Sequence, residues 1–373
     1  MQIDSVALTR FRNYQSEEIA FCPGMNLLTG PNGHGKTNLL EAIHYSCLAH
    51  SQRTRKDKEL ISWNATAFVL RVRGRTGDGE GGQEHVQSVE YTETGAKRVK
   101  VDGRESKRLS DLIGHFSVVS FSPEDLDLIR SGPQIRRRFL DVLLCQFSLD
   151  YIDTLRRYNQ ALKQRNSLLK QMDGFGGQPA VSAGEVLAAY DAALIESGAR
   201  ITLMRRRALA DLGPLASACY HAISDGGEDL TLSLTGSVSE ADDEAVLRED
   251  FRRKLALLRV PERESGLTLA GPHREDLGIN LSGKPVRDFG SQGQKRSVAL
   301  SIKLASAQLL EARSGRPPIL LLDDVFAELD EARRRRIGDM IRGKGQVFIA
   351  NPRAADLPFE AEKTIQLLRG RVV

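Results

Sequence analysis

Cysteine is scarce in the chain. Four stand among 373 residues, Cys22, Cys47, Cys145 and Cys219, and none forms a Cys-x-x-Cys pair. That spacing excludes the usual zinc and dithiol redox motifs. Three of the four lie in apolar helical or strand contexts, so they read as reduced structural thiols of a cytosolic protein. Long apolar runs are missing too: nothing approaches the ~18 residues that a membrane span needs. Met1 to Arg10 has neither the basic nor the apolar region of a signal peptide. These absences predict a soluble, cytoplasmic chain with no membrane partner. Nor is there a strong net charge. The 53 Lys+Arg against 49 Asp+Glu leave +4, so any nucleic-acid surface has to be local. The length suits two or three domains at roughly 100–200 residues each.

What is present is organised around Gly30-Pro31-Asn32-Gly33-His34-Gly35-Lys36-Thr37, which fits G-x-x-x-x-G-K-[ST] at every fixed position. Met25–Thr29 before it reads as a buried strand. Asn38–His50 after it reads as a helix with Leu39, Leu40, Ile43 and Cys47 on its apolar side. Strand, loop and helix in that order are the context a phosphate-binding loop requires. Successive backbone N–H groups would point at phosphate oxygens, Lys36 would reach the β- and γ-phosphates, and Thr37 would offer its hydroxyl to Mg²⁺. The sequence thus implies ATP with Mg²⁺.

Around this motif, Gln2–Phe11 and Ile19–Phe21 read as antiparallel strands joined by a polar turn that holds Arg12 and Asn13. Those two residues either reach the nucleotide or simply decorate an exposed turn. Ser51–Lys58 is basic, and Ala67–Arg73 with His85–Thr92 reads as a hairpin whose Gly74–Gly82 tip also holds Asp78 and Glu80. Lys97–Val101 alternates so that Arg98 and Lys100 share a face opposite Val99. Arg53, Arg55, Lys56, Arg98 and Lys100 are the candidate DNA contacts of this region. Val118–Phe121 is a short strand closed by Ser122-Pro123-Glu124-Asp125.

The pattern then turns helical over Pro133–Met172 and Gly184–Ile223, with a break at Asp173-Gly174-Phe175-Gly176-Gly177 and Pro179. This predicts an antiparallel helical arm whose polar faces carry Arg136, Arg137, Arg138, Arg156, Arg157, Lys163, Arg165, Lys170, Arg205, Arg206 and Arg207. They are either a DNA surface or, for most of them individually, a solvated helix face. Leu230–Leu234, Leu267–Leu269, Asp276–Leu281 and Pro285–Asp288 read as strands, and Ala241–Leu258 as a charged helix.

Ser291-Gln292-Gly293-Gln294-Lys295-Arg296 opens a long helix, with Ser291 placed as its N-cap. Ile319-Leu320-Leu321-Leu322 ends in Asp323-Asp324. An apolar run of this kind is a buried parallel strand, and carboxylates at its C-terminal end face the crevice where ligands bind in open α/β sheets. Asp323 can hold the Mg²⁺ shell, and Asp324 can orient or deprotonate the attacking water. Ala327-Glu328-Leu329-Asp330 starts the helix Glu331–Ile341. Gln346–Ala350 and Thr364–Leu368 are read as the last strands.

Loop, Ser-x-Gly-Gln helix start, acid-tipped strand and Ala-Glu-Leu-Asp turn occur in the order of ABC-type ATPases, and the intervening arm resembles the SMC branch. Phe11-Arg12-Asn13-Tyr14, Arg53-Thr54, Phe121-Ser122-Pro123-Glu124-Asp125, Arg136-Arg137-Arg138-Phe139-Leu140-Asp141 and Gly271-Pro272-His273-Arg274 make the resemblance specific to the RecF family. It implies an α/β fold: an ABC-type, SMC-head-like P-loop ATPase domain with a mixed sheet, plus an inserted helical arm. The expected division is 1–121 and 265–373 for the two halves of the head and 122–264 for the arm.

The family resemblance further implies an ATP-dependent homodimer that clamps DNA at duplex next to single-strand gaps. It would work with RecO and RecR to help load RecA, and slow hydrolysis would release it. Ser291, Gly293 and Gln294 would then contact ATP in trans. The chain departs from the wider ABC pattern at Asp324, where Glu is common, at Ala350-Asn351, which lacks a His, and at Ser122, where a Gln is usual. Those changes predict slow turnover with binding intact. The arm tip has no Cys-x-x-Cys. The alternatives are the nucleotide-binding subunit of an ABC transporter, against which the insertion and the basic segments count, and an ATP-dependent nuclease, which needs an acidic cluster beyond Asp323-Asp324. His273 and Arg274 are either functional or a strand-entry turn.

Overall fold

The computed structural model describes residues 1–77, 82–106, 111–174, 181–224, 227–236, 238–353, 357 and 359–373. In chain order the first half runs β1 (Gln2–Phe11), β2 (Tyr14–Ala20), β3 (Met25–Thr29), α1 (Lys36–Leu48), β4 (Ala67–Thr76), β5 (Gln83–Thr92), β6 (Lys97–Val101), β7 (Arg104–Ser106) and β8 (Val118–Phe121). The helical middle is α2 (Asp127–Arg130), α3 (Pro133–Cys145), α4 (Leu149–Gly174) and α5 (Val181–Ile223). It continues with β9 (Leu230–Thr235), α6 (Glu244–Leu257), α7 (Arg259–Ser265), β10 (Asp276–Leu281), β11 (Lys284–Pro285) and α8 (Val286–Phe289). The chain closes with α9 (Gln292–Ser314), β12 (Ile319–Asp323), α10 (Glu331–Ile341), β13 (Val347–Ala350), β14 (Lys363–Leu368) and β15 (Arg371–Val372).

One compact unit comprises Met1–Leu126, Ala218–Gly227 and Arg296–Val373. It holds two six-stranded sheets. The first, in the order β2-β1-β4-β5-β6-β7, is antiparallel throughout. The second, β15-β14-β3-β13-β12-β8, is parallel apart from the β14–β15 hairpin. Parallel strands covered on both faces have no solvent side, which is why Leu320–Leu322 and all of β13 are apolar and buried. Helix α1 packs against strands of both sheets. Its surface is therefore buried all round from Leu39 to Leu48, rather than on one apolar side, and Glu41, His44 and Ser46 are carried into the interior. Phe68 closes the layer between α1 and the antiparallel sheet, edge-on to Phe11 at 5.3 Å and to Tyr45 at 5.5 Å.

The other unit comprises Asp127–Ser217 and Glu228–Lys295, a helical body with a small sheet ordered β11-β10-β9. Compactness thus divides the chain at places that differ from 122 and 264. The reason is pairing: β9 lies against β10 along its whole length, which draws the stretch after 264 into the helical unit.

Several elements differ from the sequence reading. Residues 267–269 form no strand, because their backbone donors go elsewhere: Leu267 N to the Glu262 carbonyl at 3.3 Å, Thr268 N to Asn166 Oδ1 at 2.8 Å and Leu269 N to Glu262 Oε1 at 2.7 Å. Pro285–Asp288 is not a strand either. Pro285 ends β11, and the next four residues make the turn of helix α8. The β4–β5 hairpin extends past Gly74, which pairs with Ile3 and His85; Asp78 and Glu80 lie outside the described residues. So do Phe175, Gly176, Gly177 and Pro179 of the arm break. A further strand, β15, follows β14.

The arm arginines show the largest difference. Arg136 is buried and pairs with both oxygens of Asp276 at 2.6 and 2.8 Å. Arg165 donates to Asp191, Glu262 and Thr268. Arg205 donates to Asp141, Glu275, Tyr151 and the carbonyl of Pro272. These three are internal struts, neither a solvated face nor a DNA surface. Charge this deep persists only when paired and hydrogen-bonded.

Candidate nucleotide site

Four parallel strands end at the same edge of the second sheet. β3 runs into the glycine loop, β12 ends at Asp323, β13 runs into Asn351 and β8 into Ser122. This is the carboxyl-end crevice where open α/β sheets bind ligands. The loop leaves β3 through Gly30 at φ +132°, where a Cβ would fall 2.2 Å from the carbonyl oxygen of Leu367. It enters α1 through Gly35 at φ +114°, where a Cβ would meet Tyr14 Oη at 2.8 Å and Asn13 Nδ2 at 2.9 Å. Only glycine fits either position.

Lys36 is almost completely buried. Its ammonium donates to the carbonyls of Gly30 and Pro31 at 2.7 and 3.1 Å and to Asn32 Oδ1 at 3.4 Å. Burial pulls its pKa down, while Asp324 and Asp323 push the other way. Thr37 Oγ1 donates to Asp323 Oδ1 at 3.0 Å. The two residues stand 286 positions apart in sequence and meet because β12 and β3 are separated in the sheet only by β13. Burial raises the Asp323 carboxyl to about 6 against the Thr37 hydrogen bond, with Asp324 adding to the rise. Asp324 turns out of the strand in the left-handed region, φ 50°, with its N–H on the Ala350 carbonyl at 3.1 Å. Its Oδ1 is buried without a hydrogen-bond partner among the described residues.

A threonine hydroxyl beside one buried carboxylate, with an unsatisfied carboxylate oxygen next in the chain, is a hard-oxygen donor set of the kind Mg²⁺ takes. The residues fit that ion, and Thr37 and Asp323 would hold it. Bound there, it would neutralise charge developing on phosphate oxygens. Beside the pair lies a cleft of about 30 Å³ lined by Thr37, Gln52, Arg53, Ser122, Glu124 and Asp323, room enough for a water.

The turn that holds Arg12 and Asn13 lies against the start of α1. Asn13 Oδ1 accepts from Asn38 Nδ2 at 2.8 Å, and Tyr14 Oη donates to the Gly35 carbonyl at 3.0 Å. Arg12 turns to α1, gripping Glu41 with Nε and Nη2, both at 2.9 Å, and donating to the Glu59 carbonyl at 3.0 Å. Arg53 reaches the same Glu41 at 3.3 Å and Asn38 at 3.1 Å. Ser51 Oγ closes the set on Glu41 at 2.5 Å. Arg53 is therefore part of the loop's surroundings, whereas Arg55, Lys56, Arg98 and Lys100 stay exposed. His34 is tied to the C-terminal hairpin, its carbonyl accepting from Gly370 N at 3.0 Å.

Ser291, Gly293 and Gln294 open α9 in the helical unit. Ser291 Oγ accepts from Gln294 N at 3.2 Å while Gln294 Oε1 accepts from Ser291 N at 2.7 Å, a reciprocal capping box. His273 is half-buried, bonded to Tyr158 Oη at 2.6 Å and to the Thr268 carbonyl at 2.9 Å. Both of its ring nitrogens are thus engaged within the helical unit. Glu41, Gln52 and Ser120 escaped the sequence reading because no motif spacing marks them. Gln52 donates to Ser120 Oγ at the end of β8.

The profile of the RecF/RecN/SMC N-terminal domain matches residues 2–368. A DNA replication and repair protein RecF from an Exiguobacterium species is 39% identical over 98% of this chain and 95% of the relative. That of Halalkalibacterium halodurans is 41% identical over 94% and 92%. A solved structure of the recombination mediator protein RecF with ATP, of the RecFOR pathway, superposes with a TM-score of 0.92 at 34% identity, covering 100% of this chain and 96% of that one. An SMC head bound to the C-terminal winged-helix domain of ScpA matches at 18% identity and a TM-score of 0.55, which speaks for the fold alone. Among the described residues no helix is long and apolar enough to cross a membrane.

Proposed function

The chain belongs to the RecF proteins of the RecF/RecN/SMC family, and we propose that it is a cytoplasmic, ATP-switched DNA clamp of recombinational repair. The observation that carries the reading is the assembled site, in which Lys36, Thr37, Asp323 and Asp324 converge at one sheet edge. In the proposed cycle, the loop N–H groups and Lys36 hold the phosphates and Asp324 orients the attacking water. Ser291, Gly293 and Gln294 of a second copy close over the nucleotide. Loss of the γ-phosphate weakens the contacts that favour the dimer, so hydrolysis releases it. The exposure of Ser291, and of Phe289 two residues earlier at 71%, supports a surface there that a second copy covers. DNA is the proposed ligand, as duplex beside a single-strand gap. The proposed partners are RecO and RecR, with RecA loading as the outcome and a slow, DNA-stimulated ATPase setting the lifetime.

The transporter-subunit reading is not favoured, since the relatives cited are replication and repair proteins. Light scattering tests the clamp, with no nucleotide, ADP or ATP, each with and without gapped duplex. Dimers should form only with ATP and be reinforced by the gap. Ser291→Arg should stay monomeric while still binding ATP. Dimerisation of that variant at wild-type ATP concentrations would defeat the trans-site reading.

A further inference from the structure

Trp63 is the chain's single tryptophan, and 91% of its surface is exposed. An indole is normally a large buried payload, so such exposure calls for a reason. Disorder is not it, because the turn that carries the residue is held firmly. Ser62, itself buried, donates from N to the Arg10 carbonyl at 2.8 Å and from Oγ to the carbonyls of Arg12 and Tyr14 at 2.7 and 3.1 Å. Ala65 N closes the turn on the Ser62 carbonyl at 3.1 Å, and Asn64 takes the left-handed φ of 62° that this requires. The ring stands on a rigid base.

The stretch of chain that carries it, and the strand end its turn is bonded to, are rich in cations. Arg10, Arg55, Lys56 and Lys58 are all exposed, and none has an ion pair among the described residues. Of the acids in this segment, Asp57 binds Lys97 at 2.6 Å, and Glu59 accepts from Thr54 Oγ1 at 2.6 Å. Within residues 1–66 no other large apolar side chain is exposed. Protein-binding cores gather several apolar and aromatic residues and exclude charge. A lone exposed indole in a cation-rich segment has the opposite make-up, and it matches the stacking platforms on which unpaired bases lie while lysine and arginine follow the backbone.

We propose that Trp63, with Arg10, Arg55, Lys56 and Lys58, receives an unpaired nucleotide strand, one base stacked on the indole and its neighbouring phosphates on the cations. This deepens the DNA-binding reading above and rests on it. It assigns the single-stranded side of a junction to this turn.

Because the full chain has one tryptophan, its intrinsic emission reports this site alone. The protein with ATP is titrated with oligo-dT, with a blunt duplex, and with the same duplex carrying a dT overhang. Anisotropy of a dye on the DNA records total binding in parallel. Oligo-dT and the overhang should quench Trp63 in step with anisotropy, and the blunt duplex should not. Trp63→Ala should weaken overhang binding about tenfold, Trp63→Phe should recover most of the loss, and ATP affinity should hold in both. Overhang binding with unchanged Trp63 emission and an unaffected Trp63→Ala variant would overturn the proposal, leave DNA binding standing and reassign the indole to a protein contact. No anisotropy change with any DNA would remove both readings.

Discussion

Glu41→Gln tests the arrangement around the loop helix most directly. The carboxylate is 3% exposed and gathers two bonds from Arg12, one from Arg53 and one from Ser51. The amide keeps the shape and removes the charge. One amide oxygen can still accept from the Arg12 guanidinium, more weakly than a carboxylate, while the bond to the other oxygen is lost, together about 2 kcal/mol. The new NH₂ group also has to face a guanidinium or a hydroxyl, which brings the total to about 3 kcal/mol, in the range for breaking a partly buried pair. The Arg53 bond adds little, since that side chain is 40% exposed. Amide hydrogen exchange in α1 reads this locally, and the α1 peptides should exchange about a hundredfold faster. In the Glu41→Gln background, Arg12→Met should add almost nothing, because the pair is already broken. Acceleration of less than about fivefold, or full additivity of the two changes, would refute the idea that Glu41 anchors both arginines.

Asp324→Asn should fold normally, since asparagine tolerates the left-handed backbone, and should bind ATP while hydrolysis drops at least a hundredfold in single-turnover assays. Lys36→Arg should likewise keep the fold and lose hydrolysis, because the larger head cannot sit where Nζ lies 2.7 Å from the Gly30 carbonyl. Arg205→Met should cost about 3–5 kcal/mol by leaving Glu275 and Asp141 without their cation; calorimetry should show the helical unit melting earlier, and Glu275→Gln in the same chain should restore part of the loss. Burial holds His273 down at about 4 against an ordinary 6.5, so below pH 6.5 the unfolded chain takes up a proton that the folded one refuses. That contribution is complete above pH 6.5 and is lost as pH falls toward 4, by about 3 kcal/mol. Asp323, raised to about 6, acts in the opposite sense over part of the window, so the comparison is wild type against His273→Gln, whose stability should fall less steeply across pH 6.5 to 4.

Local chemistry made much of the site readable in advance. The glycine loop, the acid-tipped strand and the N-cap of α9 are encoded within a few residues each, by φ requirements, by burial on both sheet faces and by a reciprocal cap. The misread strands failed for an equally physical reason. Asn166 takes the backbone donor of 268 from 102 positions away, and Glu262 folds back to take that of 269, so no strand periodicity within a short window can announce it.

By itself, then, the amino-acid order determined where the glycine loop turns and which strand carries the acids, since those properties rest on backbone freedom and on the apolar run of a buried parallel strand. Tertiary structure alone decided what the charged residues do. Arg136, Arg165 and Arg205 look like surface cations in one dimension and become internal struts because Asp276, Glu262 and Glu275 are folded onto them. Glu41 becomes an anchor because two sheets enclose α1. Thr37 meets Asp323 only because β13 alone separates β12 from β3. A charge is placed by the partners that long-range packing brings to it, and those contacts span distances over which sequence periodicity carries no signal.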